Sequence, residues 1–229
     1  MLEHQVYYWH ITAMAVPTPS PDFASARLAM VESQLRPQGV TDRGVLLAMG
    51  QVPREQFVPA DAQALAYADR AVPLGEGRFL TAPTVIGQLL TEMMPQPGQR
   101  ALVVGAGTGY SATILSAIGL DVTAIESSPE LAAKAGAAGV RVVQARLEDG
   151  HRKGAPYDHI LIDGAVEIIP DALIDQLADG GRLGTALVDR GISRLVVGRK
   201  AAGAFGYLSV ADAGAPLLPG FSRPRAFTF

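Results

Sequence analysis

Gly105, Gly107 and Gly109 close the apolar run Ala101-Leu-Val-Val104, and an acidic residue, Glu126, ends the next one, Asp121-Val-Thr-Ala-Ile125. The three glycines let a chain turn tightly between strand and helix and bring bare backbone against a ligand. Glu126 stands about 20 residues beyond the first glycine, the interval at which a βαβ unit presents a carboxylate to a ribose diol. The spacing is G-x-G-x-G, and Tyr110 occupies the place where a dinucleotide fingerprint needs glycine or alanine. Its bulk argues against a pyrophosphate on the helix N-terminus. A nucleoside without a phosphate, such as S-adenosylmethionine, suits the pattern, with Gly105, Ala106, Gly107, Gly109, Glu126 and Ser127 as its cradle.

Composition narrows the alternatives. A chain of 229 residues that is 48% hydrophobic can bury one substantial α/β core. A net charge of −3 and a sequence pI near 5.8 give no footprint for nucleic acid or for a membrane surface. Zero cysteines exclude disulfides, thiolate metal sites and a cysteine nucleophile, and accord with a reducing, cytoplasmic compartment. No apolar run reaches the ~18–20 residues of a spanning helix. The four histidines (His4, His10, His151, His159) have no metal-ligand spacing with one another or with carboxylates, so no metal is expected.

The elements that must position the glycine turn follow from periodicity and punctuation. Residues 1–21, with Val16-Pro-Thr-Pro-Ser-Pro21, read as a flexible leader. Asp22 predicts a helix from Phe23 to about Leu35, and Thr41 a second one with Asp42 in its first turn. A short helix is expected over 60–68, a Gly/Pro-punctuated loop over 72–83 and a buried helix over 84–94. Strands are expected at 101–104, 121–125, 140–143, 157–162 and 182–188, the last after a Gly180-Gly181 turn. Helices are expected at 111–118, 129–138 and 171–178. Segments 194–199 and 207–211 should pair antiparallel at one edge. The alternation implies an α/β fold, a doubly wound sheet with a reversed last strand. Residues 22–98 would form N-terminal helices and a covering loop, and 99–229 a Rossmann-like core, integrated as one domain from residue 22.

Several segments resemble the protein-L-isoaspartate O-methyltransferase family: Met30-Val-Glu-Ser-Gln-Leu35, Ala48-Met-Gly-Gln-Val-Pro-Arg-Glu-Gln-Phe-Val-Pro59, Ala66-Tyr-Ala-Asp69, Val72-Pro-Leu-Gly-Glu-Gly77, Leu102-Val-Val-Gly-Ala-Gly-Thr-Gly-Tyr110, Ala155-Pro-Tyr-Asp158, Ile169-Pro170 and Leu177-Ala-Asp-Gly-Gly181. The resemblance runs in order from about residue 25 to 200. It implies a seven-stranded S-adenosylmethionine-dependent methyltransferase fold with an N-terminal helical elaboration. It also implies methyl transfer to the free carboxylate of L-isoaspartyl residues in damaged proteins or peptides, with S-adenosylhomocysteine as by-product.

The chain departs from the family pattern in places that bear on chemistry. The family's Thr-Ile-Ser-Gln-Pro loop is Phe79-Leu-Thr-Ala-Pro83 here, so Thr81 replaces a functional serine and Ala82 a glutamine. Val103 stands where the family has an acid in the first strand. The adenine-holding Gly-Asp-Gly falls on Ala145-Arg-Leu147 without gaps, making Arg146 and Leu147 candidates, or on Glu148-Asp-Gly150 with a shift. Ile162-Asp-Gly-Ala165 puts Asp163 at the carboxyl end of a strand, where it would orient the methionyl amine or the substrate, or end the strand in solvent. These departures keep two other readings open: a dedicated peptide or small-molecule acceptor, and a non-catalytic S-adenosylmethionine-binding protein.

Overall fold

The structure, a computed structural model, describes residues 22–223, so the expected leader and residues 224–229 lie outside it. Asp22 caps helix α1 (Phe23–Met30) by accepting from Ser25 N at 3.1 Å. The chain then continues through a wide π turn (Val31–Leu35) and a 3-10 turn that Gly39 ends with φ 82°. The path expected to Leu35 is therefore helical, with its α hydrogen-bonding stopping at Met30. Helix α2 (Arg43–Gln51) is capped by Asp42, one residue later than expected, because the Asp42 carboxylate accepts from Val45 N at 2.9 Å. In place of the helix expected over 60–68 there is a 3-10 segment, Ala60–Leu65; none of its side chains is buried, so no apolar face holds an α-helix there.

The expected loop over 72–83 is a β-hairpin, β1 (Val72–Gly75) against β2 (Arg78–Leu80). Val72, Leu74 and Leu80 face inward, while Gly75, Glu76 and Gly77 turn the tip with φ of 98°, 51° and 68°. Pro83, with its φ already set, starts α3 (Pro83–Met93).

A seven-stranded sheet follows: β3 (Arg100–Val104), β4 (Asp121–Glu126), β5 (Val142–Gln144), β6 (Tyr157–Val166), β7 (Leu177–Asp189), β8 (Ile192–Ala201) and β9 (Ala204–Ala211). Its order is β5-β4-β3-β6-β7-β8-β9. The strands β3 to β7 are parallel, and α4 (Tyr110–Ile118), α5 (Pro129–Ala137) and α6 (Asp171–Ile174) lie in the crossovers. The reversed strand is β8 rather than the last one: left-handed turns at Arg190-Gly191 and Ala202-Gly203 each reverse the chain, so β9 again runs with the parallel set. Helix α6 is shorter than the expected 171–178 because Leu177 already pairs with Tyr157. The Gly180-Gly181 pair lies inside β7, at the irregular pairing between Tyr157 and His159.

Along β3 the side chains alternate between two cores, as the pleat requires. Ala101 and Val103 join a cluster containing Met30, Leu46, Leu90 and Tyr110, which welds the N-terminal helices to one face. Leu102 and Val104 join Ile125, Ile160 and Phe221 on the other. The chain passes from β3 to β4 on one side and enters β6 on the other, so the carboxyl ends of β3 and β6 diverge into the crevice where open α/β sheets bind ligands. Among the described residues no helix is long and apolar enough to cross a membrane.

His159, in β6, is buried with Nε2 donating to Gln99 Oε1 at 2.7 Å, and burial depresses its pKa to about 4. The unfolded chain then binds the extra proton first, so this group's stabilisation is present above about pH 6.5 and lost as pH falls toward 4. The difference is at most about 3 kcal/mol. Urea unfolding at stepped pH is expected to show a steeper loss of stability between pH 6.5 and 4 for wild type than for His159→Gln. Superimposable pH profiles would refute this assignment.

Candidate active site

Glu126 ends β4 with no exposed surface. Its Oε2 accepts from Gly107 N at 2.7 Å, and its Oε1 from Ser127 N at 2.8 Å and Ser128 N at 3.1 Å. Arg78, at the start of β2, also donates Nη1 to Glu126 Oε1 at 2.5 Å and Nη2 to the Gly105 carbonyl at 2.9 Å. The glycine turn is built for contact. Gly105 has φ 79°, and Gly109 opens α4 with φ 100° where a Cβ would lie 2.9 Å from Val140 Cγ2. The amides of Gly105 and Ala106 both donate to the Ile125 carbonyl, which fixes the turn to the tip of β4.

A second buried group lies where β6 leaves the sheet's register. Asp163 Oδ1 accepts from Thr81 Oγ1 and Oδ2 from Ser111 Oγ, both at 2.6 Å. Burial pushes its pKa up, opposed by these hydroxyls and by the charges of Arg78 and Arg54. Asp163 is thus neither solvated nor free: it ties the loop before α3 to the first turn of α4. The Thr81 carbonyl accepts from Arg54 Nη2 at 2.7 Å, and Arg54 Nε reaches the Ala66 carbonyl at 2.6 Å. Arg54 is fully buried, with its guanidinium 4.7 Å from the Tyr110 ring centroid, and burial lowers its pKa. Arg54 Nη1 and Tyr110 Oη are buried without partners.

The segment after β5 divides at Leu147, which is buried and opens a 3-10 turn (Leu147–Asp149). Arg146 stands at the surface, its Nε donating to Glu148 Oε1 at 3.0 Å. Beyond β9 the chain returns along β6: Ala165 N donates to the Pro216 carbonyl and Leu218 N to the Ala165 carbonyl, both at 2.8 Å. These two bonds lay the stretch around Leu217 along the end of β6. That stretch buries Leu218 against Gly105 and Gly164.

The structure therefore brings together Thr81, Gly105, Ala106, Gly107, Gly109, Glu126, Ser127 and Asp163 at one end of the sheet. Arg78, Arg54, Ser111 and Leu218 join them without having been singled out from sequence. For Arg54 a signal existed, an arginine inside the matched Ala48–Pro59 segment; a hairpin arginine 48 residues from its glutamate carries none. Among the described residues, no three His, Asp or Glu side chains gather to hold a metal ion. The donor chemistry fits a nucleoside: a buried carboxylate at the tip of β4 beside a glycine turn with no Cβ in the way.

The description "Protein-L-isoaspartate(D-aspartate) O-methyltransferase" belongs to the family model that matches residues 26–205. A protein-L-isoaspartate O-methyltransferase of Methylorubrum populi is 42% identical over 166 residues, 69% of this chain and 78% of that protein. One from Koribacter versatilis is 38% identical over 194 residues, 80% of this chain and 87% of that protein. Among solved structures, a protein-L-isoaspartate O-methyltransferase superposes with a TM-score of 0.74 at 21% identity, over 85% of this chain and 66% of that one. A Plasmodium falciparum structure described under the same enzyme name, in complex with S-adenosyl-L-homocysteine, gives 0.71 at 19% identity, over 83% of this chain and 97% of that one. The two superpositions speak for the fold alone; by the family model and the sequence matches, this chain belongs to the protein-L-isoaspartate (D-aspartate) O-methyltransferase family.

Proposed function

We propose that the chain methylates the free carboxylate of L-isoaspartyl residues in damaged proteins and peptides. The observation that carries this reading is the Thr81–Asp163–Ser111 cluster beside Glu126, at the divergence of β3 and β6, in a chain of this family. The methyl donor is S-adenosylmethionine, which supplies an electrophilic methyl group on its sulfonium when bound. Glu126, the turn from Gly105 to Gly109, Ser127 and Leu147 are the residues suited to hold it.

The acceptor carboxylate is already ionised at neutral pH, so the site needs no general base. The chain's task is to orient the nucleophile and exclude competing water. Thr81 is suited to the first part. Its carbonyl is pinned by Arg54 and its hydroxyl by Asp163, so the side chain is held where an acceptor would enter. Turning the hydroxyl proton from Asp163 to the acceptor gives one charge-assisted hydrogen bond.

Matched peptides bearing isoaspartate or aspartate, assayed with labelled methyl donor, test the reading: the isoaspartyl peptide is expected to be labelled in preference. Wild-type protein that binds cofactor yet labels neither peptide would overturn it. Thr81→Val keeps the shape and removes the hydroxyl, so kcat/KM should fall by roughly 10- to 150-fold with cofactor affinity unchanged. Thr81→Ser should retain activity. Equal rates for the valine and wild-type proteins would remove Thr81 from the site.

A further inference from the structure

The carboxylate best suited to a ribose diol is already satisfied by the protein itself. Arg78 caps Glu126 and the Gly105 carbonyl at once, and both charged side chains are buried, Arg78 at 3% exposure. Leu218 closes the same crevice from the other side. A Cβ placed on Gly105 would lie 2.9 Å from Arg78 Nη2 and 3.2 Å from Leu218 Cδ2. The space left between Arg78, Thr81, Asp163, Gly164 and Leu218 is about 10 Å³. Ligand sites occupy roughly 300–1,000 Å³, and ~10–15 Å³ is what a single water needs. That gap lies on the Thr81–Asp163 side of Arg78; on the other side it is the guanidinium itself that stands against Glu126, where a ribose would meet the carboxylate.

We propose that Arg78 is a built-in competitor for the cofactor: it latches the nucleoside site shut by occupying Glu126, and the ribose must displace it. The proposal rests on the cofactor reading given above. A guanidinium–carboxylate pair is a stronger partner for Glu126 than a neutral diol, so the competition has weight. The latch is also placed to open. Arg78 follows directly on the hairpin tip, where Gly75, Glu76 and Gly77 hold left-handed backbone, and nothing crowds either glycine within 4 Å. Rotation at that tip withdraws the arginine without disturbing the sheet. Leu218 donates its N–H to the Ala165 carbonyl, between Pro216, which accepts from Ala165 N, and Phe221, which accepts from Glu167 N, so its side chain closes the crevice from a tail laid along β6 rather than from within a strand of the sheet.

A closed latch reduces apparent affinity by the fraction of molecules that are open. Arg78→Met keeps the apolar stem, removes every donor and leaves Glu126 with its three backbone N–H partners. Titration calorimetry with S-adenosylhomocysteine is expected to show about tenfold or greater tightening in this variant, the value for a site closed nine-tenths of the time. The cofactor-free variant should melt several degrees below wild type, since a buried carboxylate has lost its cation, yet gain a larger melting shift on adding S-adenosylhomocysteine. A residue needed only for folding would lower the melting temperature without tightening binding.

In stopped-flow mixing, the wild-type association rate should level off at high ligand concentration, where latch opening limits it, and that of Arg78→Met should keep rising. Leu218→Ala, which leaves the ion pair in place, is expected to tighten binding as well. Should Arg78→Met fail to fold, Arg78→Lys retains the charge but cannot reach Glu126 and the Gly105 carbonyl together, and should tighten binding to a smaller degree. Wild type that binds with a Kd equal to or tighter than the variants' refutes the latch and leaves the cofactor reading standing. If neither wild type nor any variant binds S-adenosylhomocysteine, the cofactor reading falls, and the latch with it.

Discussion

Glu126→Ala is expected to cost both stability and cofactor binding, and the stability loss should be the larger. The substitution strands the Arg78 guanidinium in a buried site with only the Gly105 carbonyl for company, and it removes the acceptor of three backbone N–H groups. Breaking a buried ion pair by deleting one partner costs about 3–5 kcal/mol. For a domain of this size that lowers the melting temperature by roughly 6–20 °C. Cofactor affinity should fall as well, by the ~1.5–3 kcal/mol that hydrogen bonds to a charged group contribute, less whatever is regained because Arg78 no longer has its anchor. Glu126→Ala combined with Arg78→Met should recover much of the lost stability, because the stranded cation is gone. Scanning calorimetry of the two single variants and the double one measures this coupling directly. An alanine variant melting within about 2 °C of wild type would show that the pair contributes little to the fold.

The second large effect is expected at Arg54. This cation is fully buried and, among the described residues, has no carboxylate within ion-pair distance; the carbonyls of Ala66 and Thr81 and the face of Tyr110 hold it. Arg54→Met leaves two buried carbonyls unpaired, at about 1–3 kcal/mol each, partly offset by no longer burying a charge. The larger consequence is for position. Without that bond the Thr81 carbonyl is free to shift, and a 1 Å displacement of a positioning group can cost ~100-fold in rate. Arg54→Lys should fall close to the methionine variant, since one ammonium cannot serve both carbonyls. Peptide methylation kinetics beside urea unfolding separate the two effects. A lysine variant with wild-type kcat/KM would show that the fork is not needed.

What could be read from the chain beforehand was whatever local periodicity encodes. The strands from Arg100 to Asp189 lie close to where alternating apolar runs put them, and Glu126 falls at the tip of β4, as the glycine spacing requires. The errors came where a competing interaction decided. Asp42 displaced Thr41 as cap because its carboxylate reaches Val45 N. The segment over 72–83 paired into a hairpin because Val72, Leu74 and Leu80 had a core to enter, although its glycines and proline suggested an open loop. Asp163 fell on the sheet's carboxyl side as expected, yet its two hydroxyl partners could not be read from spacing, since they come from two separate stretches of chain. Around Arg146 the neighbouring residues part: Leu147 is buried, while Arg146 stands at the surface paired with Glu148.

The long reach of these bonds also determines when the site comes into being. Thr81 meets Asp163 across 82 residues, Ser111 meets it across 52, and Arg78 meets Glu126 across 48. Contacts of such span carry the largest loop-closure cost and are made late in folding. A ribosome-bound chain that has exposed β3, α4 and β4 already possesses the glycine turn and its glutamate, but it lacks the strand that fixes Thr81. Chemical competence therefore arrives after most of the sheet has emerged, and a half-made copy of this chain has the cradle without the means to seat an acceptor beside it.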